Sequence, residues 1–489
     1  VLGARAAIYT AGYQVARGAE FGTQTLLNLN GSGNRQAEYA TDGGDVMIRA
    51  QRSIVATESP GIVGDWLLRQ GALSPTGEFL SGSNQRNTTW YARIDQFSQG
   101  VATFGGGDIR VTAGNDIRNL GVFTVTNGRL SGAAGTTPDA ANLQVLGGGD
   151  VTVRAGGDIG SAILMVDRGL LDAQAAGDFG SARSSGAGSV LLLGEASAKL
   201  GAAGSIDLET IASSTAVRQA TNTTTSNRSS YFFRYGEDSR VDLLSYGGSV
   251  SLDNAATPWG ALALWEGLNP LLPSSLNAVA MGGDLNLRNG MVLLPATYND
   301  LLLAASGNLN LATATGGVVS IKIADSSPAL VPSVLRPAAN FNNVFWVDLA
   351  NPNIVSGIRA HDADLNANRV VEPVRLVAET GNITVPAPTA SLALVVNSPQ
   401  PVQVEAGGDI SNLTIRSQHF SDSDITRVRA GGNITFGTVF ESDGVTPSGS
   451  IAEGIQTGGR GKLEVAAGGS IDLANSFGIV TRGNFDNPW

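Results

Sequence analysis

The chain has 489 residues, a formal net charge of −11 and 42% hydrophobic residues. Glycine is abundant (64) and proline is not (18), which excludes a disordered or collagen-like chain and leaves a turn-rich, core-forming one. Cysteine is absent, excluding a disulfide scaffold, cysteine-based zinc sites and thiol catalysis, and no basic stripe accompanies the three lysines Lys199, Lys322 and Lys462, excluding nucleic acid as a partner.

In chain order, Gly44-Asp45-Val46-Met47-Ile48 opens the first of ten segments with one pattern. Glycine is followed by Asp, Asn or Ser, then by two apolar residues flanking one variable position. Gly107-Asp108, Gly149-Asp150, Gly204-Ser205, Gly248-Ser249, Gly283-Asp284, Gly307-Asn308, Gly381-Asn382, Gly432-Asn433 and Gly469-Ser470 begin the others. Each predicts a turn that feeds a short strand. Glycine supplies a positive φ, the small polar side chain bonds its own backbone, and the apolar pair alternates with period two. Weaker copies at Asn115-Asp116-Ile117, Gly157-Asp158-Ile159, Gly177-Asp178-Phe179 and Gly408-Asp409-Ile410 keep the turn.

The spacing is 20 residues from Asp158 to Asp178, 27 on to Ser205, and 24 from Asp284 to Asn308. A period that drifts in this way predicts an all-β solenoid, in which every coil adds one layer and loops enter at corners. Asp108 with Asp116, and Asp150 with Asp158, stand eight residues apart. That is one strand plus one turn, so each doublet marks two consecutive corners of one coil. The best helix candidate, Ala255–Leu268, is interrupted by Pro258, Gly260 and Gly267, which argues against an α/β enzyme. Residues 1–489 read as a single elongated body, with coils about 4.8 Å apart and a rod of about 100 Å.

Three stretches lack the corner: 56–100, 209–247 and 321–372. The first holds Trp66, Trp90 and Tyr91 and the polar run Ser81–Thr89. The second holds the tract Ala220–Ser230 and the cluster Tyr231-Phe232-Phe233-Arg234-Tyr235. The third holds Phe341, Phe345 and Trp346 among Pro328, Pro332, Pro337 and Pro352. Insertions are free to carry binding surfaces, so these aromatics either cover the solenoid or contact sugars or a protein.

No catalytic, cofactor-binding or metal-ligating residue is predicted. His361 with Asp362 and Asp364 lacks a nucleophile motif and reads as a solvated loop; His419 is the other histidine. The triple glycine Gly105-Gly106-Gly107 lacks the lysine and helix of a phosphate loop. β-Helices also host polysaccharide lyases and glycosidases, which use paired carboxylates. Here Asp207 and Asp472 alternate with Ser251, Asn286, Asn310 and Thr435 at one position of the repeat, which strand alternation puts outside as a solvated ladder. The glycine-rich nonapeptide of calcium-binding β-rolls is not found.

The phrases Val-Arg-Ala-Gly-Gly-Asp-Ile (153–159), Val-Glu-Ala-Gly-Gly-Asp-Ile (404–410) and Val-Arg-Ala-Gly-Gly-Asn-Ile (428–434) resemble the repeats of filamentous-haemagglutinin-like exoproteins, large secreted proteins of Gram-negative bacteria. Similar units recur from Gly43 to Leu473. The resemblance implies a right-handed parallel β-helix, secretion through an outer-membrane partner, and a role in adhesion or cell-surface fibres. It carries no binding residue onto a particular position. The chain opens on Val1 and stops at Asn487-Pro488-Trp489, and the expectation is a piece of a longer polypeptide. The expected function is an extracellular structural or adhesive β-helix that self-associates, stacks on flanking coils, or meets a carbohydrate or surface receptor. The alternatives are a β-helical carbohydrate-active enzyme and a passive spacer within a larger adhesin.

Overall fold

The computed structural model describes residues 6–16, 25–27, 34–36, 38–57, 63–71, 87–132, 137–181, 188–217, 231–255, 271–325, 328, 331–337, 372–387, 395–440, 443–447 and 453–482. Among them the regular structure is almost all β, and its long sheets are parallel, stacked coil over coil in a solenoid-like arrangement.

Each complete coil carries three strands. The first face is made of the longer ones, from Val46–Ala50 and Ile109–Ala113 through Arg240–Ser245, Ser275–Ala280 and Asp300–Ala305 to Lys462–Ala467. The second face is made of short strands that follow the next corner, from Ile54–Val55 to Ile471–Asp472. The third face begins with Ala7–Thr10 and Gly100–Thr103 in the same 27-stranded sheet and continues as a separate 7-stranded sheet from Leu271–Leu272 to Ile479–Arg482. One 13-residue strand, Ile163–Ala175, runs round the corner between two faces.

Register is kept from coil to coil, and this is what builds the core. Val111 pairs with Ile48 on one side and Val153 on the other, while Ala113 pairs with Ala50 and Ala155. Inward residues therefore stack like on like. Val241, Leu276, Leu301, Val374 and Val402 lie fully buried in one continuous cluster. Each such side chain contributes about 1.5–3 kcal/mol on leaving water. The last inward residue before the second corner is small in coil after coil, Ala280, Ala305, Ala378, Ala406 and Ala430 among them. The chain turns there, and the interior narrows too much for a branched side chain.

The corner itself works differently from the expectation. Gly107 and Gly149 have positive φ (104° and 145°), but Gly204, Gly248, Gly283, Gly307, Gly381, Gly432 and Gly469 do not. They are glycines because a Cβ would overlap the corner residue of the preceding coil. At Gly283 it would lie 2.6 Å from Ser249 Oγ, and at Gly381 2.7 Å from Asn308 Oδ1. Nor do the corner side chains bond their own backbone. Each accepts the backbone N–H of its counterpart one coil on.

That relation makes an unbroken ladder along the second corner. It runs Ser53, Asp116, Asp158, Asp178, Ser205, Ser249, Asp284, Asn308, Asn382, Asp409, Asn433, Ser470, with each link 2.6 to 3.3 Å long. One link spans 20 residues between Asp158 and Asp178 but 74 between Asn308 and Asn382. A shorter ladder marks the first corner, where Asp45, Asp108 and Asp150 serve Asp108, Asp150 and Leu170 at 2.8 Å. The two aspartates of each doublet thus flank one first-face strand, as their spacing predicts.

Among the described residues three antiparallel sheets fall outside the repeat, one of them the strand pair Thr25–Leu27 and Asn34–Gln36. The strands Leu67–Gln70, Thr89–Ala92, Thr126–Leu130 and Leu143–Gly147 form an antiparallel layer, and Tyr13–Ala16 pairs antiparallel with Glu38–Thr41. No helix among the described residues is long and apolar enough to cross a membrane.

Candidate functional site

The segment Tyr231–Tyr235 is built into the body. Tyr231 and Phe232 are fully buried and Phe233 nearly so, which removes them as platforms for a sugar. Trp66, Trp90 and Tyr91 are likewise buried. Trp66 stands edge-on to Phe97, Phe104 and Phe123 at 5.3 to 5.9 Å, and Trp90 edge-on to Phe232 at 5.7 Å. Packing, not ligand contact, explains these rings.

Arg234 sits at the centre of the segment with its side chain 1% exposed. Its guanidinium carbon is 4.5 Å from the Trp90 ring centroid. Nη1 donates to Thr126 Oγ1 and lies 3.8 Å from the Asp167 carboxylate; Nη2 lies 3.9 Å from Glu195. Asp167 in turn accepts the Thr126 N–H at 2.9 Å, the Thr126 hydroxyl at 3.0 Å, and the Ser214 hydroxyl. Trp90 Nε1 donates to the same Thr126 oxygen at 3.1 Å. Burial pulls the Arg234 pKa down while Asp167 and Glu195 push it back up. One cation therefore joins the inserted segment, the antiparallel layer and a corner of the coil. Chemically it is a lock, held between the Trp90 ring, Thr126 and two carboxylates. The signal in the sequence was a single arginine inside an aromatic run; nothing in the sequence pointed to Asp167 or Thr126.

A second buried polar group lies nearer the carboxyl-terminal coils. His419 is 1% exposed, with Nδ1 2.8 Å from the Arg460 carbonyl and Nε2 2.8 Å from Thr426 Oγ1. A carbonyl accepts only, so Nδ1 carries the proton and Thr426 donates to Nε2. The Ser417 hydroxyl, 2.9 Å from Thr426 Oγ1, completes the chain by donating to it. Burial lowers the His419 pKa, opposed by the Arg460 carbonyl and Asp424. Glu453 is 2% exposed, and neither carboxylate oxygen has a hydrogen-bond partner among the described residues. Burial pushes its pKa up to about 7. His361, Asp362, Asp364, Phe341, Phe345, Trp346, Pro352, the tract Ala220–Ser230 and nearly all of Ala255–Leu268 lie outside the described residues.

The outward position of the second face forms the expected ladder in part. Asn310 Nδ2 donates to Asn286 Oδ1 at 2.9 Å, and Asn286 Nδ2 to Ser251 Oγ at 3.3 Å. Asp207, Asn286, Asn310 and Thr435 are half-buried and Asp472 is exposed, whereas Ser251 is buried. Burial and the neighbouring Asp253 raise the Asp207 pKa; Arg288, 2.8 Å from Asp253 and 3.9 Å from Asp207, opposes them. No group of three His, Asp or Glu among the described residues is arranged to hold a metal.

The first face departs from a polar exterior. Its outward residues include Leu244, Val279, Ala304 and Val377, adjacent in register across four successive coils, with Leu302 beside them. All are half-buried, and Tyr246 and Met281 at the edge of the stripe are each 56% exposed. On either side along the stack the outward positions turn charged: Asp172, Lys199 and Asp242 toward the amino-terminal coils, and Arg375, Glu405, Arg427 and Glu464 toward the carboxyl-terminal ones. No protein-family model matches the sequence, and comparison with curated proteins and with solved structures returns no match.

Proposed function

We propose that the chain is a non-catalytic, right-handed parallel β-helix that serves as a structural and adhesive part of a bacterial cell-surface fibre. The observation that carries this reading is the unbroken corner ladder from Ser53 to Ser470, which commits the repeated polar side chains to holding coil on coil. A repeat spent on axial cohesion suits a protein that acts through length and surface. Right-handed winding follows from the steric preference of parallel strand crossovers. The Ala-Gly-Gly-Asp-Ile phrasing and the absence of cysteine support secretion through an outer-membrane partner.

Beads coated with the folded chain are expected to retain cells or surface polysaccharide, and beads coated with heat-unfolded chain are not. Equal retention by both would remove the adhesive half of the proposal and leave a spacer.

A further inference from the structure

We infer that the first face is a self-complementary dimer surface, on which a second copy packs face to face about a two-fold axis. The axis lies along the strand direction, between the strands Ser275–Ala280 and Asp300–Ala305. This pairing needs only the solenoid face and is independent of the fibre role.

The argument starts from the order of outward residues along the stack. In register, one column reads Asp172, Lys199, Asp242, Asn277, Leu302, Arg375, Gln403, Arg427. The next reads Gln174, Gly201, Leu244, Val279, Ala304, Val377, Glu405, Arg429. A two-fold along the strands keeps each column opposite itself and reverses its order. Val279 then meets the partner's Ala304, Leu244 meets the partner's Val377, and Asn277 meets the partner's Leu302. Moving outward, Asp242 meets the partner's Arg375, and Asp172 meets the partner's Arg427. Lys199 meets the partner's Gln403, with the partner's Glu405 on the diagonal. Every opposed charge pair has opposite sign, and the apolar residues face one another at the axis. Because the contact is isologous, each pair occurs twice.

These pairs are not available inside one chain. Asp242 and Arg375 are three coils apart, about 14 Å at the usual strand spacing. Among the described residues Arg375 lies 3.6 Å from Asp300, and Asp242 bonds Arg240 and Asn277 at 2.8 and 2.9 Å. The face is also large enough. Five first-face strands lie on the carboxyl-terminal side of the axis, so ten oppose one another, and a patch about 48 Å by about 17 Å offers roughly 800 Å² per copy, the size of a standard stable interface.

Sedimentation of the whole chain at micromolar concentrations tests this. Wild type is expected to be a dimer. Val279→Glu is expected to be monomeric with unchanged circular dichroism, because the position faces outward. Asp242→Arg and Arg375→Glu each oppose like charges twice, and each should weaken the dimer by about tenfold or more. Mixed one to one, they form a heterodimer in which one contact is native and the other is reversed in both partners, so affinity should return. A wild type that stays monomeric overturns the proposal. So does a dimer indifferent to Val279→Glu, and a mixture no tighter than either variant alone overturns the register.

Discussion

Asp409 Oδ1 accepts the backbone N–H of Asn433 at 2.6 Å, and the same oxygen fills the space that a Cβ on Gly432 would occupy. Bond and glycine are therefore one device. Gly432→Ala should lower stability by about 1–3 kcal/mol through overpacking, and Asp409→Ala in the same chain should return part of that loss. Gly44, where an added Cβ would meet nothing within 4 Å, should accept alanine with little change. Urea unfolding of the three variants decides it, and a Gly44→Ala cost equal to that of Gly432→Ala counts against the account.

Ile434 and Thr435 are neighbours with opposite environments. Ile434 is 1% exposed in the core, and Thr435 points outward on the second face. Ile434→Asp should cost about 3–5 kcal/mol or prevent folding, whereas Thr435→Asp should stay within about 0.5 kcal/mol. Equal tolerance in a thermal melt would sink the inside-outside assignment.

Removing the Arg234 cation leaves the fully buried Asp167 carboxylate without its counter-charge. Arg234→Met is expected to cost about 3–5 kcal/mol. Arg234→Met with Asp167→Asn should recover part of it, since the stranded charge is gone. A double variant as unstable as the sum of the two single ones would show that the pair does not interact.

Two buried groups give stability opposite dependences on pH. The Glu453 pKa is raised from 4.5 to about 7, so its contribution is full below about 4.5 and is lost as pH rises through 7. The His419 pKa is lowered, so its contribution is present above 6.5 and is lost as pH falls. Glu453→Gln should therefore be more stable than wild type at alkaline pH, by up to about 3 kcal/mol, and show no such advantage in acid. Urea midpoints on both sides of neutrality check the sign; the same advantage at both ends would rule out ionisation as its cause.

The repeat was readable because the solenoid uses one residue pattern for one job. Each Gly-Asp, Gly-Asn or Gly-Ser pair does open a strand, and the doublets at Asp108 and Asp150 do bracket a first-face strand. What the pattern hid was the partner. A side chain that bonds 24 or 74 residues away leaves the same local signature as one that bonds its own turn. The antiparallel layer from Leu67 to Gly147 and the bonds of Arg234 were illegible for a related reason. They depend on single, unrepeated contacts, such as Trp90 with Thr126, that no period announces. The apolar stripe on the first face was hidden because its outward residues follow inward ones that are also apolar, Leu244 after Leu243 and Val279 after Ala278, so polar and apolar positions do not alternate there.

The link from Asn308 to Asn382 crosses 74 residues at 2.9 Å, and the link from Asp284 to Asn308 crosses 24 at 2.7 Å. Axial pitch is thus indifferent to how many residues separate successive rungs. Whole segments can be gained, lost or exchanged by recombination at such a point without shifting the rungs above and below. The spine behaves as a rack with interchangeable cargo, and diversity among its descendants should accumulate in what it carries and spare the rack.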